Sequence, residues 1–243
     1  LTTVKQSTSL QTQHDLNPGI DLQIDALDNI HVNLSALQRR TSTLKGRRSV
    51  KKQWQAAWLL KAISCIDLTT LSGDDTPGRV KRLCAKARHP VRPDLVEALG
   101  IQDLNLTTGA ICVYHEMVET AVEALQGTNI PVAAVSTGFP HGLSPMKQRI
   151  AEIEASVKAG AKEIDIVITR HHVLRQNWQA LYDEVKAFKQ ACGKGVHLKA
   201  ILAVGELATM RNVAKASMVS MMAGADFIKT STGKEKTNAT LDV

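Results

Sequence analysis

The sequence predicts an α/β fold built on a parallel sheet, and three observations predict it. Six apolar runs, at 62–68, 109–114, 132–137, 163–169, 197–204 and 226–230, are of strand length and bounded by polar, Gly- or Pro-bearing segments. The stretches between them carry apolar residues at helical spacing. Twice a helical stretch ends in the same way, at Ala159-Gly160-Ala161 and Ala223-Gly224-Ala225, and leads directly into the next run. Alternating strands and helices argue for parallel strands covered by helices. With aromatics at only 3%, the core must be built from Ala, Val, Ile, Leu and Met, which suits such a sheet.

The elements follow in order. Residues 1–34 are rich in Thr, Gln, Asn, Ser and Asp with little periodicity, and 1–49 is expected to be a largely irregular N-terminal extension, helical or disordered. From Val50 the pattern changes, and 50–243 is expected to form one α/β domain. Trp54, Ala57, Trp58 and Lys61 recur at helical spacing. Met146, Ile150, Ile153 and Val157 mark a helix opening at Ser144-Pro145 and closing near Gly160. Asn177 is placed to cap another, with Leu181, Val185 and Phe188 on one face. A last helix is expected from about 208 to 222, closed by Gly224. An open doubly wound sheet and a TIM-type (β/α)8 barrel both fit this order. No GxGxxG follows the first run, which disfavours a dinucleotide fold. Six strands would supply six of a barrel's eight units.

The formal net charge is +7, with much of the excess in Arg39, Arg40, Lys45, Arg47, Arg48, Lys51 and Lys52. No nucleic-acid-binding motif accompanies that stretch, so it reads as a solvated lead-in to the first helix rather than a nucleic-acid patch. Cys65, Cys84, Cys112 and Cys192 form no CxxC pair and no zinc-ligand spacing, and read as reduced cysteines in apolar or helical contexts. No apolar run reaches the length of a membrane span, and the N-terminus, which begins at Leu1, lacks a hydrophobic signal core. A cytoplasmic protein with no metal and no membrane partner is expected.

Chemistry is signalled by charged residues inside apolar strands: Asp67, Asp165, Lys199 and Lys229. Burying a charge is costly unless it is paired. Two acids and two bases on different strands could form a structural ion-pair network, and that plainer reading has most weight for Lys199 and Asp67. It has least weight for Lys229, because Thr230-Ser231-Thr232-Gly233-Lys234 follows at once with hydroxyls, a flexible backbone and a cation suited to phosphate. A buried lysine beside a phosphate loop suggests Schiff-base chemistry on a phosphorylated carbonyl compound.

These residues carry a resemblance. Asp226-Phe227-Ile228-Lys229-Thr230-Ser231-Thr232-Gly233-Lys234, Asp67-Leu68-Thr69-Thr70-Leu71, Ile111-Cys112-Val113-Tyr114, Gly138-Phe139-Pro140-His141-Gly142, Glu163-Ile164-Asp165-Ile166-Val167 and Lys199-Ala200-Ile201-Leu202-Ala203-Val204-Gly205-Glu206-Leu207 resemble, in order, the motifs of deoxyribose-phosphate aldolases. The long N-terminal part is similar to the eukaryotic branch. The resemblance implies a (β/α)8 barrel that cleaves 2-deoxy-D-ribose 5-phosphate to D-glyceraldehyde 3-phosphate and acetaldehyde without metal or cofactor. It implies Lys229 as the Schiff-base lysine and Asp165 as proton donor and acceptor, with Asp67 and Lys199 supporting a proton relay. It further implies that Cys112, Thr70, Leu71 and Phe139 shape the aldehyde site and that Gly233 and Lys234 contact phosphate. A second catalytic lysine, in a Gly-Phe-Lys-Pro-Ala-Gly-Gly strand, is also implied and does not occur in these 243 residues. The sequence is therefore expected to hold an incomplete barrel with an exposed sixth strand, truncated at its C-terminal side.

A phosphorylated sugar is the expected partner, and self-association is left open. Two alternatives stand beside this reading: another class I aldolase on the same fold, which the Asp-Leu-Thr-Thr-Leu and Gly-Phe-Pro-His-Gly segments disfavour, and an inactive fragment acting only through binding.

Overall fold

The computed structural model describes residues 16–47 and 50–243. Among them are the helices α1 (Ile24–Asp28), α2 (Leu34–Ser42) and α3 (Lys52–Ile63), followed by β1 (Asp67–Thr69), α4 (Pro77–Arg88), α5 (Pro93–Leu99) and β2 (Ala110–Tyr114). Then come α6 (Val118–Ala124), β3 (Val132–Ser136), α7 (Met146–Lys158), β4 (Glu163–Val167), α8 (Arg170–Leu174), α9 (Trp178–Cys192), β5 (His197–Ile201), α10 (Met210–Met222) and β6 (Phe227–Lys229). The six strands form one sheet in sequence order, and every neighbouring pair is parallel.

The sheet is curled. In a flat sheet β1 and β5 would lie roughly 19 Å apart, at ~4.8 Å per strand. Yet Lys199 on β5 reaches Asp67 on β1 at 2.5 Å. The convex side carries the main core: Ile111, Val113, Val132, Ala134, Ile164, Ile166, Leu198 and Ala200 pack against the helices. Strand side chains alternate between faces, so Cys112, Ala133 and Val135 turn to the concave side, where Leu71, Tyr114 and Phe139 cover them. Asp165, Lys199 and Lys229 share that concave parity in the register Asp165↔Lys199 and Ile201↔Lys229.

Helix ends follow local chemistry. Asn177 caps α9, its Oδ1 accepting from the Ala180 N–H at 3.2 Å. Thr76 and Thr209 cap α4 and α10 in the same way. The expected Ser144 cap of α7 is not formed: Pro145 holds the cap position and makes no side-chain bond.

Two expectations are corrected. The run at 62–68 is not one strand: Ala62 and Ile63 end α3, and β1 begins at Asp67. A short apolar run does not distinguish the end of a helix from a strand. The second correction concerns 1–49. Residues 1–15 and 48–49 lie outside the described residues, but the rest is not largely irregular. It holds α1 and α2, and Leu27 is fully buried in the main core with Leu22 and Ile30 beside it. The Asn17 side chain donates to the carbonyls of Met221 and Ala225, and its N–H donates to Asp226 at 2.6 Å. The segment is pinned to the end of α10 by Asn17 and the Ile20 N–H, to α9 and the body of α10 by Tyr182, Arg211 and Lys215, and to the core by a few apolar side chains, contacts without a repeat to read as periodicity.

The basic stretch is exposed wherever it is described, at Arg39, Arg40, Lys45, Arg47, Lys51 and Lys52; Arg48 lies outside the described residues. Cys84, Cys112 and Cys192 are buried, whereas Cys65, in the turn after α3, is exposed. The sixth strand is an open edge, with Phe227 at 43% exposure. Among the described residues no helix is long and apolar enough to cross a membrane.

Candidate active site

On the concave face, five charged side chains meet. Lys199 lies 2.5 Å from Asp67, 2.5 Å from Glu163 and 3.5 Å from Asp165. Lys229 donates to Asp165 at 2.5 Å. Asp165 thus sits between both lysines and is wholly buried. Three carboxylates against two ammonium groups leave the cluster with one excess negative charge when all are ionised.

The two lysines differ in access. The Lys199 side chain is 6% exposed and committed to three acids, whereas Lys229 is 30% exposed and lines a cleft of about 290 Å³. Only Lys229 can meet a small molecule without the cluster being dismantled. Burial alone would push its pKa down, but the Asp165 carboxylate outweighs burial, and the amine is held above the ordinary lysine range. Lys199 follows the same pattern more strongly, burial being overcome by Asp165, Glu163 and Asp67. Glu163 is raised, because burial exceeds the help it receives from Lys199.

Cys112 points at Asp165, its Sγ donating to Oδ2 at 3.8 Å. Burial and the Asp165 charge push the thiol up to about 12, so it is a neutral wall group rather than a nucleophile.

The cleft lies at the C-terminal ends of the strands, where parallel α/β folds gather function. Leu71, Phe139, Lys229 and Gly233 line it, as do Thr69, Ser231, Asn238 and Ala239. Thr70 and Lys234 do not. The Thr70 hydroxyl donates to the Asp75 carboxylate at 2.9 Å, and this fixes the loop after β1. Lys234 is exposed, and its N–H donates to Thr232 Oγ1 at 3.1 Å. Gly233 has φ +80 with open space beside it, a backbone free to approach an anion. The Thr232 N–H and hydroxyl are taken by Glu235. The Ser231 hydroxyl is buried without a partner at the cleft wall.

Sequence reasoning missed Glu163 and Thr69 as site residues. Glu163 was detectable in principle, because it stands two residues before Asp165 on one strand and so shares its face. Thr69 is separated from Thr70 only by side-chain parity at the end of β1.

Behind β4, Arg149 and Glu184 form a buried pair at 2.6 Å. Arg149 also donates to the Val167 carbonyl and to Thr169 Oγ1, and Glu184 accepts from the Thr169 N–H at 2.9 Å. Thr137, at φ 63, exchanges hydrogen bonds with the backbone of Val167. The strand end that carries Asp165 is therefore held from both sides.

Comparison with known proteins agrees with this picture. A family model described as "DeoC/LacD family aldolase" matches residues 61–243. The deoxyribose-phosphate aldolase of Homo sapiens is 56% identical over 229 residues, covering 93% of this chain and 72% of that protein. The Bos taurus deoxyribose-phosphate aldolase is 55% identical over 227 residues, covering 93% of this chain and 71% of the other. A solved structure from Coccidioides immitis has the same fold, with a TM-score of 0.66 at 24% identity over 87% of this chain and 77% of that one. A structure described as a tetrameric deoxyribose phosphate aldolase from Aeropyrum pernix gives a TM-score of 0.58 at 26% identity over 72% of this chain and 66% of that one.

Proposed function

Because the chain belongs to the DeoC/LacD family of aldolases, we propose that it cleaves 2-deoxy-D-ribose 5-phosphate reversibly to D-glyceraldehyde 3-phosphate and acetaldehyde through a Schiff base on Lys229. The observation that carries this reading is the Lys229–Asp165 pair: a lysine that lines the cleft, 2.5 Å from a wholly buried carboxylate.

In the cleavage direction Lys229 first gives its proton to Asp165; the neutral amine then adds to the C1 aldehyde of the open-chain sugar, and Asp165 returns the proton to the carbinolamine hydroxyl, which leaves as water. The protonated imine is an electron sink. The C3 hydroxyl gives its proton to Asp165, directly or through a water. The electrons of that O–H bond form the new carbonyl at C3, and those of the C2–C3 bond move into the imine to leave an enamine. Protonation of the enamine at C2 and hydrolysis release acetaldehyde and restore the lysine. Asp165 holds the proton between these steps, as a general base and then a general acid. Lys199 keeps Asp67, Glu163 and Asp165 together, so that the carboxylate stays in reach of Lys229.

Leu71 and Phe139 give the aldehyde end an apolar wall, with Cys112 behind them. The Gly233 backbone offers its N–H toward the phosphate end, and Lys234 adds positive field from outside the cleft. Thr70 acts through the loop it fixes rather than by contact. The reading extends to a division of the chain at about residue 50, to a cytoplasmic location and to self-association.

The test is reductive trapping. Acetaldehyde and borohydride should add the ethyl mass to the peptide holding Lys229. Labelling of Lys199 instead would overturn the assignment.

A further inference from the structure

Arg170, the first residue of α8, touches neither Lys229 nor Asp165, yet its side chain is only 12% exposed at the C-terminal side of the sheet. Nη1 donates to the His141 carbonyl at 2.8 Å and Nη2 to the Pro140 carbonyl at 2.9 Å. Nε lies 2.8 Å from the Glu206 carboxylate. His141 and Pro140 belong to the loop after β3 that carries Phe139, and Glu206 belongs to the turn after β5. Arg170 itself follows β4. The loop after β6 is set by its own contacts, the Glu235 carboxylate taking the Thr232 N–H and hydroxyl. That last loop packs closely on the turn after β5, where a Cβ on Gly205 would come within 2.0 Å of the Thr237 carbonyl oxygen.

One planar guanidinium therefore joins the loops after β3, β4 and β5, and the loop after β6 packs on the last of these; the loops after β3 and β6 supply cleft walls, at Phe139 and at Ser231–Gly233. Carbonyl oxygens at the tip of a loop carry no restoring force of their own. A fixed fork of donors can set their spacing, where a lysine with its single point charge cannot.

We propose that Arg170 is a positioning residue that sets the width of the cleft mouth, and through it the grip on the substrate, without taking part in the chemistry at Lys229. The proposal rests on the aldolase reading only for its kinetic consequence; its structural content stands apart from it.

Arg170→Met and Arg170→Lys in the full chain test it by hydrogen exchange and by kinetics. Exchange should rise together in the segments 138–142, 204–206 and 232–237 for both variants, while the urea midpoint and borohydride trapping of acetaldehyde at Lys229 stay near wild type. Half-saturation by 2-deoxyribose 5-phosphate should rise on the order of tenfold at little-changed kcat, as expected for lost charge-assisted hydrogen bonds that act on binding. Glu206→Gln should reproduce the effect in part. An exchange change confined to α8, full rescue by lysine, or a fall in kcat that tracks lost stability would overturn it. If the wild-type chain is not trapped by acetaldehyde at all, the aldolase reading fails, and the exchange pattern still decides the role of Arg170.

Discussion

Lys199 on β5 and Asp67 on β1 are four strands apart in the sheet, and their side chains are 2.5 Å apart. The contact spans the concave side of a curled sheet, so one hydrogen bond records both the curvature and the electrostatics of the site. Lys199 is also the only cation within reach of Glu163 among the described ion pairs. Replacing it by Met removes the partner and leaves Glu163 and Asp165 with little access to water. Breaking such a pair costs about 3–5 kcal/mol. Lys199→Met should lower the urea midpoint accordingly, and an unchanged midpoint would show that water already satisfies the carboxylates.

The pH dependence of that stability has a defined sign. The folded-state pKa values of Lys199 and Lys229 lie above the ordinary lysine value because their carboxylate partners outweigh burial. Groups raised in the folded state stabilise fully below the unfolded value and lose that contribution as pH climbs toward the folded one. Stability should therefore fall from about pH 10.4 upward. The Lys199→Met variant should show a shallower fall in urea midpoints between about pH 10 and about pH 11.5. An equal slope in both proteins would remove Lys199 from the account.

Part of this site was legible in the sequence for a simple reason. A charged residue inside an apolar strand stands out, so Asp165, Lys199 and Lys229 could be picked individually, and the concave face brings them together. Their pairing could not be read, because it depends on register: Asp165 opposes Lys199, and Lys229 lies across from Ile201. Glu163 escaped notice as the first residue of its strand. The N-terminal segment escaped because Leu27 and Asn17 reach α10 and the core through isolated contacts, without a repeat. Helix α3 shows the converse: Trp54 and Trp58 have helical spacing, but both are more than 60% exposed, so periodicity there did not signal burial.

The docked N-terminal segment has its own test. Leu27 is fully buried, and truncation of a buried leucine costs about 2–5 kcal/mol. Leu27→Ala should destabilise the whole domain by that amount in a single transition. A change under about 1 kcal/mol, or a separate early transition, would mean that the segment is only loosely attached.

Removing the Asp165 charge separates two roles that the site combines. The carboxylate holds Lys229 protonated by direct pairing at 2.5 Å, and in the proposed mechanism it also moves the C3 proton. Asp165→Asn keeps the size and most of the hydrogen bonding but drops the charge, so burial is no longer outweighed and the Lys229 pKa must fall. A lower pKa supplies more neutral amine at neutral pH, so acetaldehyde trapping should persist and its pH profile should move downward. Cleavage of 2-deoxyribose 5-phosphate should nevertheless drop by about 10²–10⁴-fold, the usual range for a lost general acid–base. Lys229→Arg gives the matching control: it keeps the positive charge beside Asp165 and so the fold, but it cannot form an imine. Both trapping and cleavage should then vanish. A trapping profile that moves upward in Asp165→Asn, or substantial cleavage in either variant, would dismiss the pairing of these two residues as the centre of the reaction.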